Sequence, residues 1–353
     1  MPRLKKATHL ITICLSLLVL ASCGTPPDTA DRESSLTLNE ASSSSYVSVE
    51  VSESPKTADN SHLSQMPETV ADVYEQGNLS LILDAQVVPV TQEKIYIWDS
   101  ADFDIADESF QKKMADRLLD GEYSVEANAN GGNNYSNDHG VLSFNPDIKH
   151  TSYRTTESVE LDTTMENFVA DEDLDNPYVE QLESILADIG VSHFVPALCA
   201  KYGNEETGYF YDIVCQPVIE GLPIVNSGVQ PSSLEEVPPY EEVRACIGED
   251  GKLLLLNFRS SQIDDATKKE VEVIKLEDAL DILSKEGMAV LSRALSDAQS
   301  LTVQMINLAY AHLPNDGGFA LTPIWMFGLE RVDQEGTISN VTFAVNAVTG
   351  EIV

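Results

Sequence analysis

Basic residues are scarce in this chain of 353 residues, which has 21 Lys and Arg against 58 Asp and Glu and a formal net charge of −37. A negative field of this size repels the phosphates of DNA and RNA and the anionic headgroups of lipids. It fits a well-solvated surface, or cationic partners such as divalent ions. We therefore expect no nucleic acid among the partners of the protein.

Motifs of catalysis and metal binding are also lacking. The six histidines are scattered, and none lies in an H-E-x-x-H or other zinc-binding spacing. No G-x-S-x-G, phosphate-binding loop or dinucleotide fingerprint is present. Ser109-Phe110-Gln111-Lys112 matches S-x-x-K, but the K-T-G motif of penicillin-binding enzymes is missing. We predict a protein that is not an enzyme and holds neither a metal nor a cofactor.

One group of acids is similar to the start of a calcium-binding loop. Asp171, Asp173 and Asp175 have the right spacing, but Asn176 stands where a glycine is needed and Leu182 where a bidentate acid is needed. We expect these acids to cap the helix that follows them, because the helix dipole favours negative charge at that end.

Two further pairs of acids, Glu235-Glu236 and Glu241-Glu242, flank Pro238-Pro239. This composition predicts a solvated loop. A glycosidase needs two carboxylates at a fixed separation in a cleft, which a sequence does not show.

Cysteine occurs five times. Cys14 and Cys23 belong to the N-terminal leader, whereas Cys199, Cys215 and Cys246 lie on predicted strands. This odd number allows one disulfide with one buried thiol, or three buried thiols, and the sequence leaves both open.

The leader has a basic start at Arg3, Lys5 and Lys6 and a short apolar run from Leu10 to Leu20. The run is too short to span a bilayer comfortably and ends in Leu20-Ala21-Ser22-Cys23. This ending resembles the lipobox of bacterial lipoproteins. The resemblance implies cleavage after residue 22 and acylation of Cys23, with chains such as palmitate, so that the protein is anchored to the extracytoplasmic face of the cell membrane.

The composition changes near residue 70. Residues 23–69 are rich in serine and acids, as in Ser42–Ser45, and contain few large apolar side chains. Such a segment cannot bury enough surface to offset its chain entropy, so we predict a disordered tether. A fragment that begins near Val70 is then expected to fold on its own.

The remaining chain alternates between helix and strand patterns. Apolar spacing predicts helices over 109–119 and 177–189, the second ended by Gly190, and a third from Leu276 to Leu283. The third helix is expected to pack on an antiparallel sheet with Trp325 in its core. Strands are predicted at 79–90, 95–98, 194–200, 209–215, 243–247, 253–258, 301–313, 321–329 and 341–345.

A helix followed by antiparallel strands occurs twice in this pattern, which favours an α+β fold with a duplicated unit. Antiparallel sheets, each packed by a helix, are expected. The predicted divisions are a signal peptide at 1–22, the tether at 23–69, an N-terminal α+β domain at 70–170, and two further units at 171–270 and 271–353.

The last unit resembles PepSY-like domains and extracytoplasmic regulators of the YycH/YycI type. The resemblance rests on the segments 321–325, Leu-Thr-Pro-Ile-Trp, and 345–352, Val-Asn-Ala-Val-Thr-Gly-Glu-Ile. Residues 246–253 are similar to a looser copy of the second segment. The whole chain also resembles uncharacterised lipoproteins of Gram-positive anaerobes. Unlike the YycI type, it has a lipid-anchor motif in place of an N-terminal transmembrane helix.

These observations predict a membrane-anchored, extracytoplasmic module that binds or regulates another envelope protein without catalysis. Two alternatives remain. The first is an envelope hydrolase whose site is assembled only in the fold. The second is a solute-binding lipoprotein, although such proteins have lobes built on parallel strands. A deep pocket with converging ionisable groups would favour the alternatives, whereas a shallow sheet face would favour the module.

Overall fold

The structure is a computed structural model that describes residues 58–77, 79–157, 161–226 and 238–353. The predicted signal peptide, Cys23 and the tether up to residue 57 lie outside the described residues. In the described part, strands predominate over helices and form two open sheets. The predicted α+β class is confirmed at this level, whereas a duplicated unit is not shown.

The first sheet has eight strands in the order β1-β2-β16-β17-β3-β14, with β15 beside β3 and β18 beside β17. All neighbours are antiparallel except β2 and β16, which run parallel. Its strands are β1 (Thr69–Gln76), β2 (Leu79–Val87), β3 (Ile95–Asp102), β14 (Ser261–Ile263), β15 (Lys269–Val271), β16 (Ala298–Asn315), β17 (Gly318–Asp333) and β18 (Ile338–Asn346).

The second sheet has ten strands in the order β4-β5-β6-β7-β13-β12-β10-β9-β8, with β11 beside β10. Its neighbours are antiparallel throughout. Its strands are β4 (Ser124–Ala127), β5 (Asn133–Ser136), β6 (Gly140–Asn145), β7 (His150–Thr155), β8 (Phe168–Asp171), β9 (Phe194–Asn204), β10 (Gly208–Ile219), β11 (Leu222–Pro223), β12 (Glu242–Gly248) and β13 (Leu253–Arg259).

The ten-stranded sheet is an insertion in the eight-stranded one, because β4 to β13 follow one another between β3 and β14. The segment 70–170 contributes β1 to β3 to one sheet, and β4 to β7 with most of β8 to the other. The predicted unit 171–270 is likewise divided after β13. The parallel pairing of β2 with the distant β16 brings the two ends of the chain into one sheet.

Two helices cover the ten-stranded sheet. Helix α1 (Glu108–Leu118) begins at Asp107, whose side chain accepts hydrogen bonds from two backbone N–H groups of the first turn. Helix α2 (Pro177–Ile189) is capped by the side chain of Asn176 and ends at Gly190, whose φ of 87° suits a glycine. Both predicted helices are therefore present, and they share one apolar core with the sheet.

The eight-stranded sheet is covered by one interrupted helix. It consists of α3 (Leu276–Ile282), a π-helical turn (Leu283–Gly287) and α4 (Met288–Ala294). Gly287 lets the helix approach the sheet closely, since a Cβ there would lie 2.7 Å from the ring of Phe343. Trp325 is fully buried beneath this helix, as the sequence predicted.

The end of the predicted tether belongs to the folded body. Residues Ser61–Gln65 form a short 3₁₀ helix, as do Pro146–Ile148 and Asp265–Thr267 elsewhere. Leu63 is 2% exposed and packs in the core of the eight-stranded sheet. The buried side chain of Asn60 donates to the Val271 carbonyl (2.9 Å) and accepts from the Val273 N–H (3.0 Å). The part of the tether from 58 to 69 is thus packed against a strand about 210 residues away.

Candidate functional site

A buried polar cluster lies where the two sheets meet. We call it the junction cluster, and it consists of Ser100, His193, Glu241, Ser261 and His312. The first sheet supplies Ser100 from β3, Ser261 from β14 and His312 from β16. His193 and Glu241 directly precede β9 and β12 of the second sheet. The cluster therefore joins the ends of strands from both sheets.

Glu241 is the centre of the cluster, and its side chain is 0% exposed. Its Oε1 accepts hydrogen bonds from the Ser261 hydroxyl, the Ser261 backbone N–H (3.2 Å) and His312 Nε2 (3.4 Å). Its Oε2 lies 3.2 Å from His193 Nε2. Asn226 fixes the backbone of Glu241 by bonding both its N–H (2.9 Å) and its carbonyl (3.0 Å). Both carboxylate oxygens thus have donors, as a buried charge requires.

The surroundings keep Glu241 ionised. Burial raises the pKa of this carboxyl, but hydrogen bonds from His193, His312 and Ser261, with the positive charge of His193, lower it to about 2 from 4.5. Because the pKa of the group is lower in the folded state, Glu241 stabilises the fold above about pH 4.5. That stability is lost as the pH falls towards 2.

His312 connects Glu241 to Ser100. Its side chain is 1% exposed, and its Nδ1 lies 2.9 Å from the Ser100 hydroxyl. A neutral ring with the proton on Nε2 donates to Glu241 and accepts from Ser100, so both ring nitrogens are satisfied. His193 differs, because its side chain is 20% exposed and its Nε2 also lies 3.4 Å from the Ser260 hydroxyl.

The cluster contains the residue types of a serine hydrolase triad, namely Ser100, His312 and Glu241. Its serine and its acid contact the opposite nitrogens of the histidine ring from those used in such a triad. In the Ser-His-Asp triad the serine bonds Nε2 and the acid bonds Nδ1, whereas here Ser100 lies at Nδ1 and Glu241 at Nε2. Ser100 is 8% exposed and lies in a strand paired on both sides. Two surface cavities of about 200 and 440 Å³ are lined by other residues, such as Lys149 and Lys275. The arrangement is well suited to holding a buried charge and to taking up protons.

The sequence did not predict this cluster. The pairs of acids beside Pro238-Pro239 predict a solvated loop, yet Glu241 is buried, because β12 starts at the next residue and places Glu241 in the junction. Ser100, Ser261 and His312 carried no motif that could have singled them out, since their contacts span 20 to 212 residues. Residues 306–313 of β16 are all buried, so no alternation of apolar and polar positions distinguishes His312.

The other candidate residues from the sequence, in the S-x-x-K match and the aspartate group, lie at the surface or near the start of a helix. Ser109 and Lys112 lie on the first turns of α1, where Lys112 pairs with Asp116 at 2.6 Å on an exposed surface. Asn176, and none of the three preceding aspartates, caps α2 with its side chain. Cys23 lies outside the described residues.

The three cysteines of the described part, Cys199, Cys215 and Cys246, are free and buried. Burial raises the pKa of Cys199 to about 11 and that of Cys215 to about 12. The pKa of Cys246 is raised as well, by burial and by the nearby Asp212. Thiols of this kind are poorly ionised and therefore weak nucleophiles. Among the described residues, no group of three or more His, Cys, Asp or Glu side chains could hold a metal ion.

The two sequence segments of the tail meet in the structure. The Pro323 carbonyl on β17 accepts from the Ala347 N–H (2.9 Å), and the Ala347 carbonyl accepts from the Ile274 N–H (2.7 Å). The indole Nε1 of Trp325 donates to the Ile274 carbonyl (3.0 Å). Gly350, with φ of 79°, closes the last turn on Asn346. We call these contacts the tail interlock, and they tie β17, the last turn and the start of α3 together.

Comparison with known proteins shows a solved structure whose fold is similar to that of this chain. The crystal structure of an uncharacterised protein from Eubacterium rectale is similar over 84% of this chain and 99% of that one, with a TM-score of 0.53 and 11% identity. Fold alone is shared here. YycH from Bacillus subtilis aligns over 76% of this chain and 55% of its own length, with a TM-score of 0.35 and 12% identity. No protein-family model and no curated protein matches the chain.

None of the helices in the described residues is long and apolar enough to cross a membrane.

Proposed function

We propose that this protein is a lipid-anchored module on the extracytoplasmic face of the cell membrane, where it binds or restrains an envelope protein without catalysis. The observation that carries the proposal is the tail interlock. The residues that resemble PepSY-like and YycH/YycI-type regulators contact one another there, from Pro323 and Trp325 to Ala347. These contacts support a kinship with such regulators over the last unit, 271–353.

The order of elements supports a related second unit. Helix α2 is followed by the antiparallel strands β9, β10, β12 and β13, just as α3 and α4 are followed by β16, β17 and β18. We include in the proposal that 171–270 and 271–353 are PepSY-like units of common origin.

The anchor rests on the lipobox, and Cys23→Ala tests it. The variant lacks the sulfur that receives the lipid, so it is expected to leave the membrane fraction or to accumulate as the unprocessed precursor. Membrane fractionation and electrophoretic mobility, beside Cys14→Ala as the matched control, measure both effects. A Cys23→Ala protein that fractionates and migrates like the wild type would contradict lipid anchoring.

Two exposed sheet edges offer surfaces for a protein partner. Edge strand β1 exposes 57% of Val73, and edge strand β4 exposes 51% of Val125. An open edge presents backbone N–H and C=O groups with which an extended segment of a partner can pair.

Photo-crosslinking in the native envelope tests the partner proposal. A photoreactive residue at Val73 or Val125 is expected to give one discrete crosslinked species, identified by mass spectrometry. The same residue at Lys113, exposed on α1, is the control. The same products at all three positions, or none at either edge, would contradict binding at the edges.

Catalysis is the second candidate function, favoured by the contact of Ser100 with His312 at 2.9 Å. A serine hydrolase would react covalently with an organophosphonate probe at Ser100. Labelling of the wild type that is lost in Ser100→Ala would favour this second function. Equal labelling of both proteins, or no labelling, supports the module.

A further inference from the structure

Each sheet has an apolar core of its own. The eight-stranded core includes Leu81 and Trp325, whereas the ten-stranded core includes Leu182 and Phe258. The chain passes between the sheets where β3 leads to α1 and where β13 leads to β14. Ile224, after β11, also forms a bridge to Tyr310 on β16. Leu222 and Ile224, which follow β10 of the ten-stranded sheet, are the exception, since they are buried in the core of the eight-stranded one. Apart from this contact, each sheet is a body with an apolar core of its own.

The junction cluster lies between these bodies, and its contacts cross from one to the other. Glu241 belongs to the ten-stranded body, while Ser261 and His312, which donate to its Oε1, belong to the eight-stranded body. These hydrogen bonds are strongest with an ionised acceptor, since a neutral carboxyl accepts more weakly and must place a proton of its own.

The ionisable side chains in contact with Glu241, among the described residues, are the two imidazoles. His193 faces it from the segment before β9, and His312 faces it from β16. The other elements contribute the uncharged Ser261 from β14 and Asn226 from the segment after β11.

Glu242 follows Glu241 directly, as the first residue of β12, and two further charged residues near the cluster have other partners. Arg259, one residue before Ser260, lies over the Tyr240 ring at 5.3 Å. Asp102, on the same strand as Ser100, lies 4.0 Å from Lys149. Glu241 is therefore the negative charge that faces both imidazoles.

We propose that the junction cluster is a proton-operated latch: with Glu241 ionised the two sheets hold together as one body, and with Glu241 protonated they separate as two folded bodies. A proton on Glu241 weakens the bonds from Ser261 and His312. It also removes the negative charge that faces the imidazoles of His193 and His312. A buried charge left without its partner is strongly destabilising, so the bodies part where these charges lie.

Differential scanning calorimetry of the purified full chain across pH tests the latch. At pH 7 the described bodies are expected to melt in one transition. As the pH falls from about 4.5 towards 2, the range in which Glu241 loses its contribution to stability, the transition should split in two. Fluorescence identifies the transition of the eight-stranded body, because both tryptophans of the chain, Trp98 and Trp325, lie in its core.

The variant Glu241→Gln replaces the carboxyl by an uncharged amide of nearly the same shape, so this position stays neutral at every pH. Two transitions are then expected at pH 7 already, where the wild type melts in one, because the variant lacks the carboxylate that joins the two sheets. Glu242→Gln is the matched control, since it neutralises the adjacent, half-buried carboxylate outside the cluster. This control should split at the pH of the wild type.

Should Glu241→Gln fail to fold, His193→Gln serves in its place. It retains an amide donor for Glu241 but cannot carry a charge, so Glu241 should take up its proton at a higher pH and the splitting should begin closer to pH 4.5 than in the wild type. A single transition at every pH, or the same onset in the wild type and the variants, would overturn the latch. The inference does not depend on the partner-binding role, which these measurements do not touch.

Discussion

Trp325→Ala is expected to lower the free energy of unfolding by about 3–5 kcal/mol, as large-to-small changes in a core do. The ring is fully buried under α3, in one core with Leu276, Ala279 and Leu283. The change also leaves the Ile274 carbonyl without the indole donor that now lies 3.0 Å away. Denaturant unfolding followed by circular dichroism measures the loss.

A second variant separates packing from hydrogen bonding. Trp325→Phe retains most of the ring volume but not the Nε1 donor, so it should cost about 1–3 kcal/mol for the unsatisfied carbonyl and the smaller ring. If Trp325 were instead a platform for a partner, Trp325→Ala would leave the melting temperature nearly unchanged and weaken crosslinking to that partner. We expect the melting temperature to fall.

A fragment that begins at Val70 is expected to be much less stable than one that begins at Ala58. It lacks Leu63, a buried leucine whose truncation alone costs about 2–5 kcal/mol. It also lacks Asn60, and the buried Val273 N–H then has no acceptor, which costs about 1–3 kcal/mol. Urea midpoints of the two fragments, compared at pH 7, measure the difference.

Single substitutions show which residue is responsible. Leu63→Ala and Asn60→Ala in the longer fragment should each reproduce part of the loss, while the exposed Ser64→Ala should reproduce none of it. Equal stability of both fragments would mean that the segment from 58 to 69 is dispensable, as the sequence composition suggested.

The elements with a strong local pattern could be predicted from the sequence. Asp107, Asn176-Pro177 and Gly190 mark ends of helices because a cap or a positive φ is decided within a few residues. The strand around Trp325 was equally clear. Hydrophobic periodicity indicates whether a single segment forms a helix or a strand, and for these segments the indication was correct.

Partners distant in sequence could not be predicted in this way. The pairing of β2 with β16 joins Leu81 to Leu301, and the bond of Asn60 to Val271 joins residues of two unlike segments. The sequence around one residue of each pair does not indicate which distant residue it contacts. The burial of Glu241 could not be predicted for the same reason. A pair of acids beside two prolines is typical of a solvated loop, and the histidines that contact Glu241 are distant in sequence.

The insertion of one sheet within the other has a consequence for synthesis. A chain is made from its N-terminus, so β2 emerges early with one apolar face formed by Leu79, Leu81, Leu83 and Ala85. Its neighbour β16 follows only after the entire ten-stranded sheet has been made. During that interval β2 has β1 on one side and an unpaired edge on the other, which is a site for aggregation or chaperone binding. The inserted sheet can complete its own pairing in the meantime, whereas β2 stays without its second neighbour until the chain has been made as far as β16.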